Sequence, residues 1–117
     1  MTDYILYHNP RCSKSRQTLA LLEENGIEPK IIRYLETPPD AATLTDMVNK
    51  LQLDRAHDLV RVKEADYNAA GLQRDSSDAD VISAMVNYPK LMERPILVCG
   101  QRAAIGRPPE NVLTLLE

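Results

Sequence analysis

Apolar positions along the chain fall into short runs and spaced stripes, and their periods predict the elements. Tyr4–Tyr7 is a continuous apolar and aromatic run followed at once by His8-Asn9-Pro10, which predicts a buried strand ending in a loop. Over residues 13–25 the apolar positions are spaced, with Leu19 and Leu22 on one side and Leu21 beside them. Gly26 follows as a C-terminal stop, so this stretch predicts a helix. Residues 30–34 read as a second strand. Pro38-Pro39 then leads into the most regular stripe of the chain, Leu44, Met47, Val48 and Leu51 at i, i+3, i+4 and i+7. Asp54 is placed as the cap of a short helix carrying Ala56, Leu59 and Val60. Gly71 breaks the next turn, and Ser77 or Asp78 opens a helix with Val81, Ile82, Met85 and Val86 inward, closed at Tyr88-Pro89. Residues 96–98 and Arg102–Ile105 predict two strands joined by Gly100-Gln101, a two-residue hairpin turn with glycine first. Pro108-Pro109 start a last helix whose apolar side is Val112, Leu113 and Leu116.

The order is β-α-β, a helical stretch, then β-β-α. A right-handed crossover makes the first two strands parallel, and the hairpin makes the last two antiparallel. The economical solution is an α/β domain with a four-stranded mixed sheet and helices on both faces, the thioredoxin-like fold. A length of 117 residues holds one domain, expected over 1–117 with a helical insertion about 40–90.

Composition narrows the function classes. The chain is 44% hydrophobic and 26% charged, which excludes disorder, coiled coil and collagen. It has no Trp, no Phe and five Tyr, so the core is expected to be mostly aliphatic. The net charge of −3 disfavours a duplex-binding module, and nucleic acid is not expected as a partner. No apolar run approaches the ~18 residues of a membrane span, and no signal-like segment opens the chain. The expected setting is the reducing cytoplasm, with Cys12 and Cys99 as free thiols.

Cys12 carries the candidate chemistry. It lies at the predicted junction of the first strand and first helix, in His8-Asn9-Pro10-Arg11-Cys12-Ser13-Lys14-Ser15-Arg16. A helix N-terminus offers unpaired N–H groups and about half a positive charge, and Arg11, Lys14 and Arg16 add cations nearby. All of these favour thiolate, the reactive form of cysteine. The same helix end suits an oxyanion. A cysteine phosphatase loop needs arginine after five intervening residues; Arg16 follows after three, and Thr18 stands at the required position. Ser15 stands where a C-x-x-C motif would place its second cysteine, so the motif is monothiol. Cys99 is expected about 13 Å along the third strand from Pro95, beyond the ~7 Å a disulfide tolerates, and reads as structural. His8 either tunes Cys12 or completes the loop's hydrogen bonding. His57 reads as a surface helix residue, and no metal is expected from these few ligands. Arg61, Arg94 and Arg107 each stand at an element boundary, and Arg94 and Arg107 flank the predicted hairpin. Taken singly, each reads as a solvated charge or a helix-end partner. Converging beside Cys12, their planar forks would suit a tetrahedral oxyanion.

Several segments together, Tyr7 through Arg16, Tyr34-Leu35-Glu36-Thr37-Pro38-Pro39, Leu59-Val60-Arg61, Glu93-Arg94-Pro95-Ile96 and Gly106-Arg107-Pro108, resemble the glutaredoxin-coupled arsenate reductase family. The resemblance covers essentially the whole chain and is nearest to a shorter branch without a C-terminal extension. It implies a thioredoxin-like fold with a helical insertion and a nucleophile at Cys12. It also implies an oxyanion site at Arg61, Arg94 and Arg107, supporting roles for His8, Asn9, Ser15 and Arg16, and a cis proline at Pro95. The implied activity is reduction of arsenate to arsenite in arsenic detoxification. Glutathione would be the reducing co-substrate and glutaredoxin the partner, with no bound cofactor. Arg11 and Lys14 depart from the smaller residues expected there and add positive charge. Two other readings share the fold: a general monothiol glutathione-linked oxidoreductase, and a Spx-type regulator binding RNA polymerase. Ser15 and Arg107 argue against the regulator.

Overall fold

A computed structural model describes residues 3–116. They form β1 (Tyr4–Tyr7), α1 (Ser13–Glu24), β2 (Lys30–Ile32), α2 (Ala41–Lys50), a 3-10 turn (Ala56–Leu59), α3 (Ala65–Ala69), α4 (Asp78–Asn87), a second 3-10 turn (Pro89–Leu91), β3 (Ile96–Cys99), β4 (Arg102–Ile105) and a final 3-10 helix (Pro109–Leu115). The chain separates into two compact units, residues 3–37 with 94–116, and 38–93.

The first unit is built on a sheet ordered β2-β1-β3-β4. β1 runs parallel to β2 and antiparallel to β3, and β3 runs antiparallel to β4. Leu6, at the centre of β1, pairs with Ile31 on one side and Leu97 on the other. Leu6 and Leu97 pack with Leu22 of α1 and with Val112 and Leu115 of the last 3-10 helix. Each such leucine contributes about 1.5–3 kcal/mol by leaving water. The architecture is α/β and thioredoxin-like. Its crossover β1-α1-β2 puts the N-terminus of α1 at the C-terminal end of β1, where the candidate chemistry sits.

The second unit is helical. Leu44, Met47 and Val48 of α2 are buried, as are Val81, Ile82, Ala84 and Met85 of α4. Asp40 caps α2 by accepting from the Thr43 N–H, and Ser77 caps α4 by accepting from the Asp80 N–H. Three helices of the protein end in the same way. At Gly26, Gln52 and Gly71 the backbone turns left-handed (φ 77, 59 and 72°), and the next residue's N–H returns to the last turn. Of these three, Gln52 alone carries a side chain into that region.

Several details differ from the sequence expectation. β2 ends at Ile32 because the Arg33 carbonyl accepts from the Glu36 and Thr37 N–H groups, curling residues 33–37 into a turn. The cap of Ala56–Leu59 is Arg55 rather than Asp54; the Arg55 N–H donates to the Asp58 carboxylate. The last helix is 3-10, so positions three apart share a side. Val112 and Leu115 are buried, while Leu113 is exposed and Leu116 half-buried. Leu51 and Val86 are only half-buried. The buried stripe of α1 is Ser15, Thr18 and Leu22, with Leu19 and Leu21 half-buried. A hydrophobic pattern cannot register that stripe because two of its three members are polar.

Candidate active site

The loop between β1 and α1 is folded by its own polar groups. Asn9 Oδ1 accepts from the Arg11 N–H at 3.0 Å, and the Asn9 carbonyl accepts from the Cys12 N–H at 3.0 Å. Arg16 Nη1 donates to the Pro10 carbonyl at 3.0 Å, bracing the loop against the first turn of α1. The turn delivers Cys12 to the N-cap of α1 in an extended conformation (φ −92°, ψ 125°). Cys12 is 7% exposed and is a free thiol.

Burial pushes the Cys12 thiol up. The Ser15 N–H, the Arg94 guanidinium and the Lys14 N–H outweigh it, and the thiol lies below its ordinary value. Cys12 makes no side-chain capping bond, so the N–H groups act on it as the oriented dipoles of an open helix end. The cation that matters is Arg94. The side chains of Arg11, Lys14 and Arg16, the sequence neighbours expected to supply charge, are exposed, and Lys14 acts on the thiol through its backbone N–H instead. Water screens them, whereas Arg94 reaches the thiol from the β3 side.

Arg94 precedes Pro95 in a cis peptide, and Arg107 precedes Pro108 in another. The Gly106 N–H donates to the Pro95 carbonyl and Arg107 Nε donates to the Arg94 carbonyl, both at 2.9 Å. These bonds tie the two arginine-bearing segments together at one end of the β3–β4 hairpin. Arg94 Nε is buried with no hydrogen-bond partner among the described residues. Buried polar groups are nearly always paired, so an orphaned guanidinium donor beside a reactive thiol is informative.

Ser15 and His8 form the wall behind Cys12. Ser15 is fully buried; its Oγ accepts from the Asn9 N–H at 3.1 Å and lies 2.7 Å from His8 Nδ1. Burial, then the charges of Arg33 and Arg16, hold the His8 pKa below its ordinary value. A neutral imidazole accepting from Ser15 at Nδ1 carries its own proton on Nε2. His8 thus completes the loop's hydrogen bonding through Ser15.

The structure brings Cys12, His8, Asn9, Ser15, Arg16, Arg94, Pro95 and Arg107 together in the first unit. Arg61 belongs to the second. There its backbone N–H donates to the Leu91 carbonyl at 2.7 Å, and its guanidinium pairs with Glu64 at 3.2 Å and Glu93 at 3.8 Å. His57, expected on a helix surface, is half-buried with Nε2 2.8 Å from the Tyr67 hydroxyl. Cys99 is half-buried and pairs with Tyr4, at the end of β1 opposite to Cys12. Sequence reasoning missed the contact that seats the cis proline. A β-carbon at Gly106 would lie 2.6 Å from Thr18 Oγ1 and 2.8 Å from Pro95 Cγ. Its one sequence signal is a glycine directly before Arg-Pro. Among the described residues no cluster of His, Cys, Asp or Glu could hold a metal ion, and no helix is long and apolar enough to cross a membrane.

Comparison with known proteins gives the lineage of this site. The model of the ArsC family matches residues 7–115. The chain belongs to the ArsC family. The arsenate reductase of Neisseria meningitidis serogroup A is 45% identical over 117 residues, 99% of this chain and 100% of that one. The uncharacterized protein YfgD of Escherichia coli strain K12 is 55% identical over 112 residues, 95% of this chain and 94% of that one. Among solved ArsC structures, an arsenate reductase from Vibrio cholerae superposes with a TM-score of 0.92 at 46% identity, covering 97% of both chains.

Proposed function

We propose that this protein is an arsenate reductase that works in the cytoplasm and draws its electrons from glutathione and glutaredoxin. One observation carries the reading. A thiol held below its ordinary pKa lies beside Arg94, whose buried Nε has no acceptor within the described protein. A tetrahedral oxyanion would accept from that donor while presenting its central atom to the thiolate. Full-length relatives named arsenate reductase add support from a separate direction.

In this mechanism arsenate docks against Arg94, Arg107 and the N-terminus of α1. The Cys12 thiolate attacks As(V); an S–As bond forms and a protonated oxygen leaves as water. The arginines hold the anion and stabilise the charge that builds on its oxygens. A glutathione thiolate then attacks the Cys12 sulfur. An S–S bond forms, the S–As bond breaks, and its electron pair stays on arsenic, which departs as As(III). Glutaredoxin attacks the glutathione sulfur of the mixed disulfide and takes up the glutathionyl group, releasing Cys12 as thiolate. Ser15, Asn9, Arg16 and His8 shape the loop, and Pro95 fixes the approach of Arg94.

The expected result is arsenate-dependent NADPH oxidation coupled through glutathione reductase, glutathione and glutaredoxin, absent in Cys12→Ser. Equal rates in the two proteins would overturn the role of Cys12. Full rates without glutaredoxin would remove it as the partner.

A further inference from the structure

The second unit holds a cavity that the reaction at Cys12 does not use. Its volume is about 670 Å³, and it is lined by Arg55, His57, Val62, Tyr67, Gln73 and Arg74. Small-molecule sites span ~300–1,000 Å³, so this one has room for a body much larger than a single tetrahedral anion. Arg55 and His57 come from the start of the Ala56–Leu59 turn and Tyr67 from α3, while Gln73 and Arg74 follow the left-handed turn at Gly71. Arg55 Nη2 donates to the Arg74 carbonyl and ties the first of these segments to the last. The Gln73 N–H donates to Ser76 Oγ at 2.9 Å, closing the turn that presents Arg74.

The lining carries charge of one sign: two guanidinium groups share the wall with no carboxylate. Neither arginine is in an ion pair among the described residues, and the Arg74 guanidinium makes no hydrogen bond there either. Nearby carboxylates are engaged with backbone: Asp58 accepts from the Arg55 N–H at 3.3 Å and Asp78 from the Ala56 N–H at 3.1 Å. His57 Nε2 lies 2.8 Å from the Tyr67 hydroxyl, with the two rings edge to face at 5.7 Å. When Nε2 carries the proton and donates to the phenolic oxygen, the Tyr67 O–H is free to donate to a ligand. Val62, 51% exposed, adds an apolar surface. Two guanidinium forks and a hydroxyl match a phosphomonoester, which carries about −1.5 to −2 charges at pH 7 and three acceptor oxygens. A carboxylate offers less charge and fewer acceptors. The apolar surface and the ring pair match a flat body attached to the phosphate. The chain's net charge of −3 repels a nucleic-acid polymer, which leaves a small molecule.

We propose that this cavity binds a small phosphomonoester with a planar ring body, of the mononucleotide class, with Arg74 as its principal phosphate contact. Arg74, Arg55 and the Tyr67 hydroxyl hold the phosphate, and the ring rests against Val62 and the Tyr67–His57 pair. The site lies wholly within the second unit and requires neither the Cys12 thiolate nor arsenate. It therefore stands or falls separately from the reductase reading.

Adenosine 5′-monophosphate serves as the probe, titrated into the full chain to about 5 mM, above the ~1 mM Kd of a weak site, with backbone amide shifts followed by NMR. Adenosine, which lacks the phosphate, and inorganic phosphate, which lacks the ring, are titrated in parallel. The shifts should concentrate at His57, Val62, Tyr67, Gln73 and Arg74. The Kd should be at least about fivefold lower than for either fragment, because each forfeits the charge-assisted bonds or the apolar contact. Arg74→Glu should raise it about tenfold, and Arg74→Lys, with a charge but no fork, should fall between. Arg74 is exposed, so the variants should keep the wild-type spectrum elsewhere, and the same spectra check this. Shifts confined to residues 12–16 would place the phosphate at the reactive thiol and overturn the proposal. Equal affinity for inorganic phosphate would overturn the ring-bearing class, and an unchanged Kd in Arg74→Glu would overturn the site.

Discussion

The reactivity of Cys12 comes from a contest between burial, which opposes the thiolate, and the helix N–H groups of Ser15 and Lys14 with Arg94, which together outweigh it. Arg94→Ala removes the charge and leaves burial in place, so the pH midpoint of Cys12 alkylation should move upward. A midpoint that stays put would remove Arg94 from the thiol's environment. The same substitution should weaken arsenate binding to the Cys12→Ser protein by ~1.5–3 kcal/mol, the value of a charge-assisted hydrogen bond; unchanged affinity in a titration would take Arg94 out of the oxyanion site. His8 gives a pH dependence of stability with a definite sign. Its folded pKa lies below 6.5, so on acidification the unfolded chain takes up the proton first. The contribution is fully present above about 6.5 and is lost as pH falls through the window between 6.5 and the lowered value. The denaturation midpoint should therefore drop between pH 7 and pH 5.5, and less steeply in His8→Gln; parallel slopes would show that His8 is not the titrating group.

At the scale of elements, the site depends on α1, the Pro95 segment and the end of β4 meeting without a side chain between them. Gly106→Ala places a methyl group 2.6 Å from Thr18 Oγ1 and 2.8 Å from Pro95 Cγ. Overpacking of this kind costs ~1–3 kcal/mol. Urea denaturation should show that loss, and adding Thr18→Ala should recover part of it, because only one of the two clashing neighbours is then removed. A Gly106→Ala protein as stable as wild type would mean that the three elements pack more loosely than they stand. This junction also marks where sequence reading stopped. Strand β1, the hairpin and the first three members of the α2 stripe, Leu44, Met47 and Val48, follow from apolar period and turn residues and are found where expected, whereas Leu51 caps the helix half-buried. The inward face of α1 was not legible, because Ser15 and Thr18 are buried by hydrogen bonds: Ser15 to His8 and Asn9, Thr18 Oγ1 to the Lys14 carbonyl. The last helix was misread for a different reason. Its residues suit an α-helix as well as a 3-10 helix, and the choice decides whether Leu113 or Leu115 is buried.

For the molecule as a whole, the order of elements along the chain was enough to reach a mixed four-stranded sheet, because handedness and hairpin rules leave few alternatives. The location of the reactive cysteine was legible for the same reason, since a strand-loop-helix junction places it. The identity of its cation was not. Arg94 is 82 positions away along the chain, and only the strand order β2-β1-β3-β4 brings its segment beside the first loop. Net charge carries no sign of this either: a chain at −3 concentrates guanidinium groups at one end of one sheet. The central claim is that Cys12 transfers electrons to arsenic. Its most direct test is arsenic speciation after incubating the purified protein with arsenate, glutathione and glutaredoxin. Arsenite should accumulate over many turnovers with the wild-type chain and stay at the protein-free background with Cys12→Ser. Arsenite formed at the wild-type rate by folded Cys12→Ser, or none formed by wild-type protein whose Cys12 alkylates readily, would contradict the account.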